Sequence, residues 1–133
     1  MLDDKISGRY EETIKFCDDW TLQFLNSQYY KELDEEQRWL CPYIILNFVE
    51  SMYIYFHLIS KEWNKTALEQ WCLSILPKKV YASDSFFNAI NPVLSKFFSF
   101  LHDKQVITND LNLKMGLFLL KEKLKNVPIN PEF

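Results

Sequence analysis

The sequence has 133 residues, which is the usual size of one domain and enough to bury a hydrophobic core. With 48% hydrophobic and 17% aromatic residues, it is too apolar for a disordered chain. A net charge of −3 without a strongly basic half argues against nucleic-acid binding, and the presence of only two glycines argues against strand-rich folds and Gly-rich phosphate-binding loops.

The first predicted helix spans residues 9–32. Apolar side chains recur at three- and four-residue steps from Tyr10 to Phe24, while the acidic residues lie largely off that stripe. Acidic residues in the first turn also suit the positive end of a helix dipole. Residues 1–7, before this helix, are expected to be frayed.

A short helix over residues 34–40 is predicted next, because Asp34 is a good N-cap. Pro42 lacks a backbone donor and disfavours helix at Cys41, so either this helix ends there or one long helix kinks. We favour the break, since proline suits the first position of a helix.

The central helix is predicted over residues 42–59, the most apolar run of the chain. A helix that is apolar on nearly every side must be surrounded by protein or lipid. Lipid is the poorer interpretation, because the run is at the short end for a bilayer and Glu50 lies near its midpoint, where a charge is unfavourable. We therefore predict a helix buried in a soluble domain, with no membrane partner.

Further helices follow the central one. Thr66 and Glu69 match a capping box for a helix over 67–76, which Pro77 helps to end. The remaining predicted elements are a connector at 78–82, a short helix at 86–90 capped by Ser83 or Ser85, a helix at 92–104 starting at Asn91–Pro92, a helix at 110–126 capped by Asn109, and a frayed tail at 127–133. With no internal repeat and no long linker, the predicted fold is all-α: a compact single domain over residues 1–133, with five to seven helices around the buried helix 42–59.

The three cysteines, Cys17, Cys41 and Cys72, are widely spaced and odd in number. No Cys-x-x-Cys pair supports a zinc or redox site, so we predict buried free thiols in a reducing cytoplasm. The first ten residues lack a basic region followed by an apolar run, so no secretion signal is predicted. The expected location is the cytoplasm, and no metal or cofactor is expected.

Polar residues on the central helix are the candidate ligand-binding residues: Asn47, Glu50, Tyr53 and His57. His57 comes two turns after Glu50, roughly 10 Å along the axis and too far for both to chelate one metal. One interpretation is a polar pocket for a small ligand inside the bundle. The favoured alternative is a solvent-facing strip, or a few hydrogen-bonded groups that fix the packing.

Catalysis and DNA binding are both disfavoured. The only histidines are His57 and His102, and no nucleophile elbow, His-Glu-x-x-His helix or paired-carboxylate motif occurs. A helix-turn-helix could be written around residues 83–92, but that segment has no Arg or Lys to reach phosphates or bases. We therefore expect no enzymatic activity and no nucleic-acid partner.

The aromatic content of 4 Trp, 7 Tyr and 11 Phe is generous for a domain of this size. The aromatic residues expected to stay partly exposed are Trp39, Trp63, Phe86, Phe87 and Phe100. Either the core is simply rich in aromatic residues, or some of them form a homodimer or partner-binding face, where Tyr and Trp are favoured. The candidate partner-binding residues are Lys78, Lys79, Phe86 and Phe87.

One segment resembles a known family. Over residues 68–101, the run WCLSILPKKV, then Ala82–Ser83, Phe86–Phe87 and Pro92-Val-Leu, resembles the helical domain of bacterial proteins that also carry a SEC-C zinc motif. The cysteine-rich SEC-C module itself is absent here, so the resemblance does not extend to zinc binding or to a SecA-like partner role. It implies a compact α-helical domain without known catalytic residues, in which the turn Pro77–Val80 displays Lys78 and Lys79.

These observations predict a cytoplasmic, non-catalytic interaction or accessory domain that self-associates. The alternative is a helical regulator domain that binds a small molecule in a pocket near Glu50 and His57. An exposed apolar patch would favour the first prediction, whereas a partly polar cavity beside the central helix would favour the second.

Overall fold

All regular secondary structure is helical in the computed structural model, which describes the backbone of residues 2–79 and 84–124 and the side chains of residues 9–77 and 84–121. The helices are α1 (Leu2–Leu25), α2 (Gln28–Lys31), α3 (Glu35–Phe56), α4 (Lys65–Gln70), α5 (Leu76–Lys79), α6 (Asp84–Asp103) and α7 (Asp110–Leu124). A 3-10 turn at Ser60–Glu62 precedes α4, and a π-helical segment at Trp71–Ile75 joins α4 to α5. The predicted all-α bundle is confirmed.

Helix α3 lies at the centre of the packing. It contacts α1 on one side and α6 on another, while α7 packs on α6 and α4. The fully buried Phe48 ring of α3 meets Trp63, Trp71 and Phe98 edge-to-face, with ring centroids 4.9, 5.5 and 5.5 Å away. Such edge-to-face pairs stabilise a core beyond the area they bury. The central helix is therefore buried on this side, whereas Trp39, Tyr43 and Leu46 in its N-terminal half are exposed.

The predicted break at Pro42 is wrong, because α3 runs without interruption from Glu35 to Phe56. It begins with the predicted cap: Asp34 accepts the Gln37 N–H at 2.8 Å, and the Gln37 side chain accepts the Asp34 N–H at 3.0 Å. The residues around the proline that are fully buried are Cys41, Ile44 and Ile45. Their packing holds the helix on both sides of Pro42 and outweighs the roughly 3 kcal/mol cost of an internal proline.

The C-terminal end of α3 also differs from the prediction. His57 follows the helix in the left-handed conformation, with φ of 57°. Its N–H bonds the carbonyl of Tyr53 at 2.9 Å, and the N–H of Leu58 bonds that of Met52 at 3.0 Å. The chain reverses at this point, so residues 57–59 lie outside the helix.

The helical stretch after α3 starts and stops elsewhere than predicted. Asn64, not Thr66, is the cap, since its side chain accepts the Ala67 N–H at 2.8 Å. The stretch then passes through the π-helical segment and through Pro77 to Lys79, so Pro77 does not end it. Trp71, Cys72 and Leu76 are fully buried and anchor this stretch in the core. Of the predicted connector and turn, 78–79 are helical, and 80–83 fall outside the described residues.

Helix α6 is continuous where a short helix and a second helix were predicted. Asn91 does not cap a helix: its amide donates to the carbonyl of Leu117 in α7 at 2.9 Å and its oxygen accepts the Ser95 hydroxyl at 3.2 Å. The Asn91–Pro92 signal is therefore a tertiary contact within one helix, and Ser85 lies inside α6 rather than at its cap.

The first and last helices have different ends from those predicted. α1 starts at Leu2, in the segment expected to be frayed, and ends at Leu25, where the Ser27 hydroxyl donates to the Phe24 carbonyl and accepts the Tyr30 N–H. Asn109 precedes α7 as predicted. Its amide donates to the Trp63 carbonyl, however, while its oxygen has no partner among the described residues, so its side chain is not a cap. Residues 125–133 lie outside the described part.

The three cysteines are free and buried, as predicted. Burial raises the pKa of the Cys17 thiol to about 11 and that of Cys41 to about 12, and it raises the Cys72 pKa further. At neutral pH these thiols are protonated and weakly nucleophilic. Within the described ranges, no helix combines the length and the hydropathy that crossing a membrane requires.

Candidate functional site

Three of the four predicted ligand-binding residues lie together at the contact between α1 and α3. The half-buried Glu50 carboxylate accepts a hydrogen bond from the Tyr10 hydroxyl of α1 at 2.7 Å. The buried Tyr53 ring lies 6.2 Å from the Tyr10 ring and 6.4 Å from the His57 ring, measured between centroids. Asn47 lies about one turn before Glu50 and accepts the Ser51 hydroxyl at 3.5 Å.

This arrangement joins two helices, because the bond to Glu50 crosses from one to the other. The pKa of Tyr10 is raised, first because its hydroxyl donates to Glu50, then by burial and by the charge of that carboxylate. The sequence did not indicate Tyr10, which is 40 residues away along the chain. Only the apolar stripe of α1 could have suggested that Tyr10 faces another helix.

A separate cleft of about 220 Å³ lies between α1, α3 and the segment after α3. It is lined by Arg9, Glu12, Thr13, Phe16, Val49, Leu58, Ile59, Ser60 and Trp63. None of the four predicted ligand-binding residues is among them. Sequence reasoning missed this cleft because its two walls are more than 30 residues apart in the chain and carry no recognisable motif.

Exposed apolar side chains lie on α3 in two groups, before and after residues 47–53, none of which is exposed. We define the α3 stripe as Trp39, Tyr43, Leu46, Ile54 and Tyr55; Trp39 is 71% exposed and Tyr43 57%. These residues span about 24 Å of helix at 1.5 Å per residue. The Trp39 and Tyr43 rings meet edge-to-face with centroids 6.4 Å apart. Between Trp39 and Tyr55 the only charged residue is the half-buried Glu50.

A second exposed apolar face lies on α7, at Leu111, Met115, Phe118 and Leu119. It is shorter than the α3 stripe. Lys114 does not reach across it, because its ammonium donates to the Ser99 hydroxyl at 2.7 Å and lies 3.6 Å from the buried Asp110 carboxylate.

The predicted partner-binding residues do not form one exposed surface. Phe87 is buried, and the half-buried Phe86 packs against the core with its ring 6.3 Å from that of Phe87. The side chains of Lys78 and Lys79 fall outside the described residues. Trp63 and Phe100, also expected to be partly exposed, are buried. Trp39 alone among the expected aromatic residues is strongly exposed.

Ionisable residues elsewhere form small networks. His102 lies 3.6 Å from Asp110 and 3.9 Å from Asp103, and Asp103 also accepts the Tyr29 hydroxyl. These contacts join α2, α6 and α7. No group of three or more His, Cys, Asp or Glu side chains within the described ranges is placed to hold a metal ion.

Comparisons with protein-family models, with curated proteins and with solved structures found no match. The resemblance to the helical domain of SEC-C proteins therefore stays a prediction.

Proposed function

We propose that this chain is a cytoplasmic, non-catalytic interaction module that self-associates through the α3 stripe. The observation that carries the proposal is the exposure of these apolar side chains on the central helix, in one group at Trp39–Leu46 and a second at Ile54–Tyr55. Large apolar patches on a folded surface are typical of interaction sites, and Trp and Tyr are the residues that contribute most at them.

A second copy of the chain is the occupant that fits the stripe. Trp39 lies seven residues before Leu46, and Ile54 lies seven residues after Asn47, so the stripe is centred between Leu46 and Asn47. A two-fold axis at that point, with the two α3 helices antiparallel, places Trp39 against the partner's Ile54. Such a face is self-complementary, as an isologous dimer requires.

Charge and hydrogen bonding favour the same arrangement. The axis places Tyr43 opposite the partner's Glu50, so the phenol can donate to the carboxylate oxygen that Tyr10 leaves open. The acidic first turn of α3, at Glu35 and Glu36, lies beyond the stripe. In an antiparallel pair the two acidic ends lie at opposite ends of the contact and do not repel each other.

The area is at the small end for a specific contact. Tyr55 lies about 100° around the helix from Ile54, so the other four residues of the stripe share one face. With about 200 Å² for a whole aromatic side chain, their exposed parts amount to roughly 400 Å² per copy. Two copies would bury about 800 Å² through these residues, and neighbouring residues must supply the rest of the roughly 1,000 Å² that a specific interface needs.

The absence of catalysis in this proposal is supported by the chemistry of the thiols and histidines. Burial raises the pKa of all three thiols, so none is an activated nucleophile. His57 and His102 are both exposed, and neither hydrogen-bonds a cysteine in the described part of the chain.

Light scattering on the purified protein tests the proposal. We expect the wild type to have twice the mass of one chain, and Trp39→Glu to have the mass of one chain, because its carboxylate would be buried without a partner against the apolar Ile54 of the second copy. Leu111→Glu is the matched control, since Leu111 is 76% exposed on α7 and lies outside the stripe. This control should remain a dimer. A monomeric wild type, or a dimer that only Leu111→Glu disrupts, would overturn the proposal.

A further inference from the structure

We propose that the cleft between α1 and residues 58–63 binds a small zwitterion with an apolar side chain, of which an apolar α-amino acid is the simplest example. This inference goes beyond the proposed function, because the cleft and the α3 stripe share no residue. It rests on three features of the cleft: its apolar wall, its two opposite charges and its unused polar groups.

The apolar wall is formed by rings and aliphatic side chains from three segments. Phe16 of α1 and the buried Trp63 meet edge-to-face with centroids 6.1 Å apart, and Val49 and Leu58 lie beside them. The volume of about 220 Å³ is below the range of about 300–1,000 Å³ that drug-sized ligands occupy. The cleft is therefore suited to a metabolite of amino-acid size.

Two opposite charges lie at one wall of the cleft. Arg9 and Glu12 are both exposed and three residues apart on α1, so their side chains lie on the same face of the helix. None of the ion pairs within the described ranges includes either residue. A purely anionic ligand would be attracted by Arg9 and repelled by Glu12, and a purely cationic one would meet the reverse.

A zwitterion satisfies both charges at once. The carboxylate and ammonium groups of an α-amino acid are on the same carbon, so one molecule can pair its carboxylate with the Arg9 guanidinium and its ammonium with the Glu12 carboxylate. Arginine is particularly suited to a carboxylate because it can donate two parallel hydrogen bonds. The ligand's side chain is then directed to the apolar wall formed by Phe16 and Trp63.

Polar groups in the lining remain available for such a ligand. The buried Thr13 hydroxyl donates to the Arg9 carbonyl at 2.8 Å, which leaves its oxygen free to accept a hydrogen bond. The Ser60 hydroxyl, at the opposite wall, can both donate and accept.

Isothermal titration calorimetry with three related probes tests the inference on the full chain. L-Phenylalanine carries both charges, phenylacetate lacks the ammonium group, and 2-phenylethylamine lacks the carboxylate. We expect L-phenylalanine to bind at least tenfold more tightly than either analogue. Equal affinity for L-phenylalanine and phenylacetate, or no heat with L-phenylalanine at millimolar concentration, would overturn the inference.

Matched variants test whether Arg9 and Glu12 are the charged residues that bind the ligand. Glu12→Gln and Arg9→Gln should each weaken L-phenylalanine binding about tenfold. Glu11→Gln, on the adjacent residue of α1 but outside the cleft, and Arg38→Gln, on α3, should leave it unchanged. All four variants alter surface side chains without removing a described ion pair, so folding is expected to be retained. If Glu11→Gln weakened binding as much as Glu12→Gln, the proposed site would be wrong.

The indole resonances give a second readout that does not depend on heat. The chain has four tryptophans, and the indole N–H signal of Trp63 can be assigned from its loss in Trp63→Phe. Addition of L-phenylalanine should shift the Trp63 signal and leave that of Trp39 unmoved, because Trp39 is outside the cleft. A shift of Trp39 alone would place the ligand elsewhere and contradict the inference.

Discussion

The hydrogen bond from Tyr10 to Glu50 is the clearest case of a residue whose role depends on a distant partner. The sequence marked Glu50 as unusual, because it is a charge in the middle of an apolar run. It gave two interpretations, a ligand pocket or a hydrogen bond that fixes the packing. The structure places Tyr10 against this carboxylate, so Glu50 makes a hydrogen bond that joins α1 to α3. Periodicity relates residues within one helix, so it cannot predict a pair that is 40 residues apart in the chain.

We predict that Glu50→Gln lowers the pKa of Tyr10 towards its ordinary value of 10.0. The carboxylate stabilises the protonated phenol, which donates to it, and disfavours the phenolate by repulsion. Because the pKa is higher in the folded state than in the unfolded state, the stability that this bond contributes is fully present below pH 10 and is lost as pH rises through the folded-state pKa.

NMR titration of the tyrosine ring carbons measures this shift. Tyr29 is the matched control, because its pKa is raised in the same way by a hydrogen bond to Asp103. Glu50→Gln should leave the Tyr29 pKa unchanged, whereas Asp103→Asn should lower it and leave that of Tyr10 alone. An unaltered Tyr10 pKa in Glu50→Gln would show that the bond contributes nothing in solution.

At the level of the helices, the apolar periodicity located the elements correctly. The boundaries predicted from proline residues were wrong. Pro42, Pro77 and Pro92 were each expected to begin or end a helix, and each lies inside a helical stretch. Proline preferences are local, whereas the buried neighbours of these residues are held by other helices. The Asp34 cap was predicted correctly because its hydrogen bonds are formed within four residues.

The contact between α4 and α7 provides a prediction about a single methyl group. A Cβ atom added at Gly116 would lie 2.8 Å from Cγ of Lys65 and 3.5 Å from Cδ2 of Leu68. In a helix interior, alanine is favoured over glycine by about 1 kcal/mol, but the close approach to Lys65 opposes this gain. We expect Gly116→Ala to be neutral or destabilising alone, and to stabilise by about 1 kcal/mol in a Lys65→Ala background, where Cγ is absent.

Urea denaturation of the four combinations gives the free energy of unfolding for this cycle. Asn112→Ala serves as the control, because Asn112 is exposed on α7 and its change reports helix propensity alone. Its effect should be the same with and without Lys65→Ala. If Gly116→Ala were equally stabilising in both backgrounds, the contact with Lys65 would carry no energy.

For the whole molecule, the aromatic surplus divides between the core and two exposed faces, on α3 and at Phe118 of α7. Phe48 and its ring partners fill the centre, as an aromatic-rich core requires, while Trp39 and Tyr43 remain outside. The sequence allowed both an aromatic-rich core and an aromatic partner-binding face, and it could not show which residues belong to each. The reason is that α3 is apolar on nearly every side, so its own pattern cannot tell which side α1 and α6 cover.

The arrangement of the α3 stripe predicts how stability depends on protein concentration. If folding and dimer formation are linked, each tenfold rise in concentration above the dissociation constant stabilises the dimer by about 1.4 kcal/mol, or about 0.7 kcal/mol per copy. For a chain of this length that corresponds to an increase in Tm of about 2 °C. Trp39→Glu should have a Tm that does not change with concentration.

Scanning calorimetry between about 10 and 1,000 μM measures this dependence, and salt identifies its origin. Glu50 is the only charge within the span of the stripe. We therefore expect 1 M NaCl to leave the concentration dependence of Tm unchanged, whereas salt would weaken it if ion pairs held the contact. Leu111→Glu should behave as the wild type. A wild-type Tm that stays constant over this range would show that a second copy does not cover the α3 stripe. If 1 M NaCl abolished the concentration dependence of Tm, charged groups outside the stripe would hold the dimer.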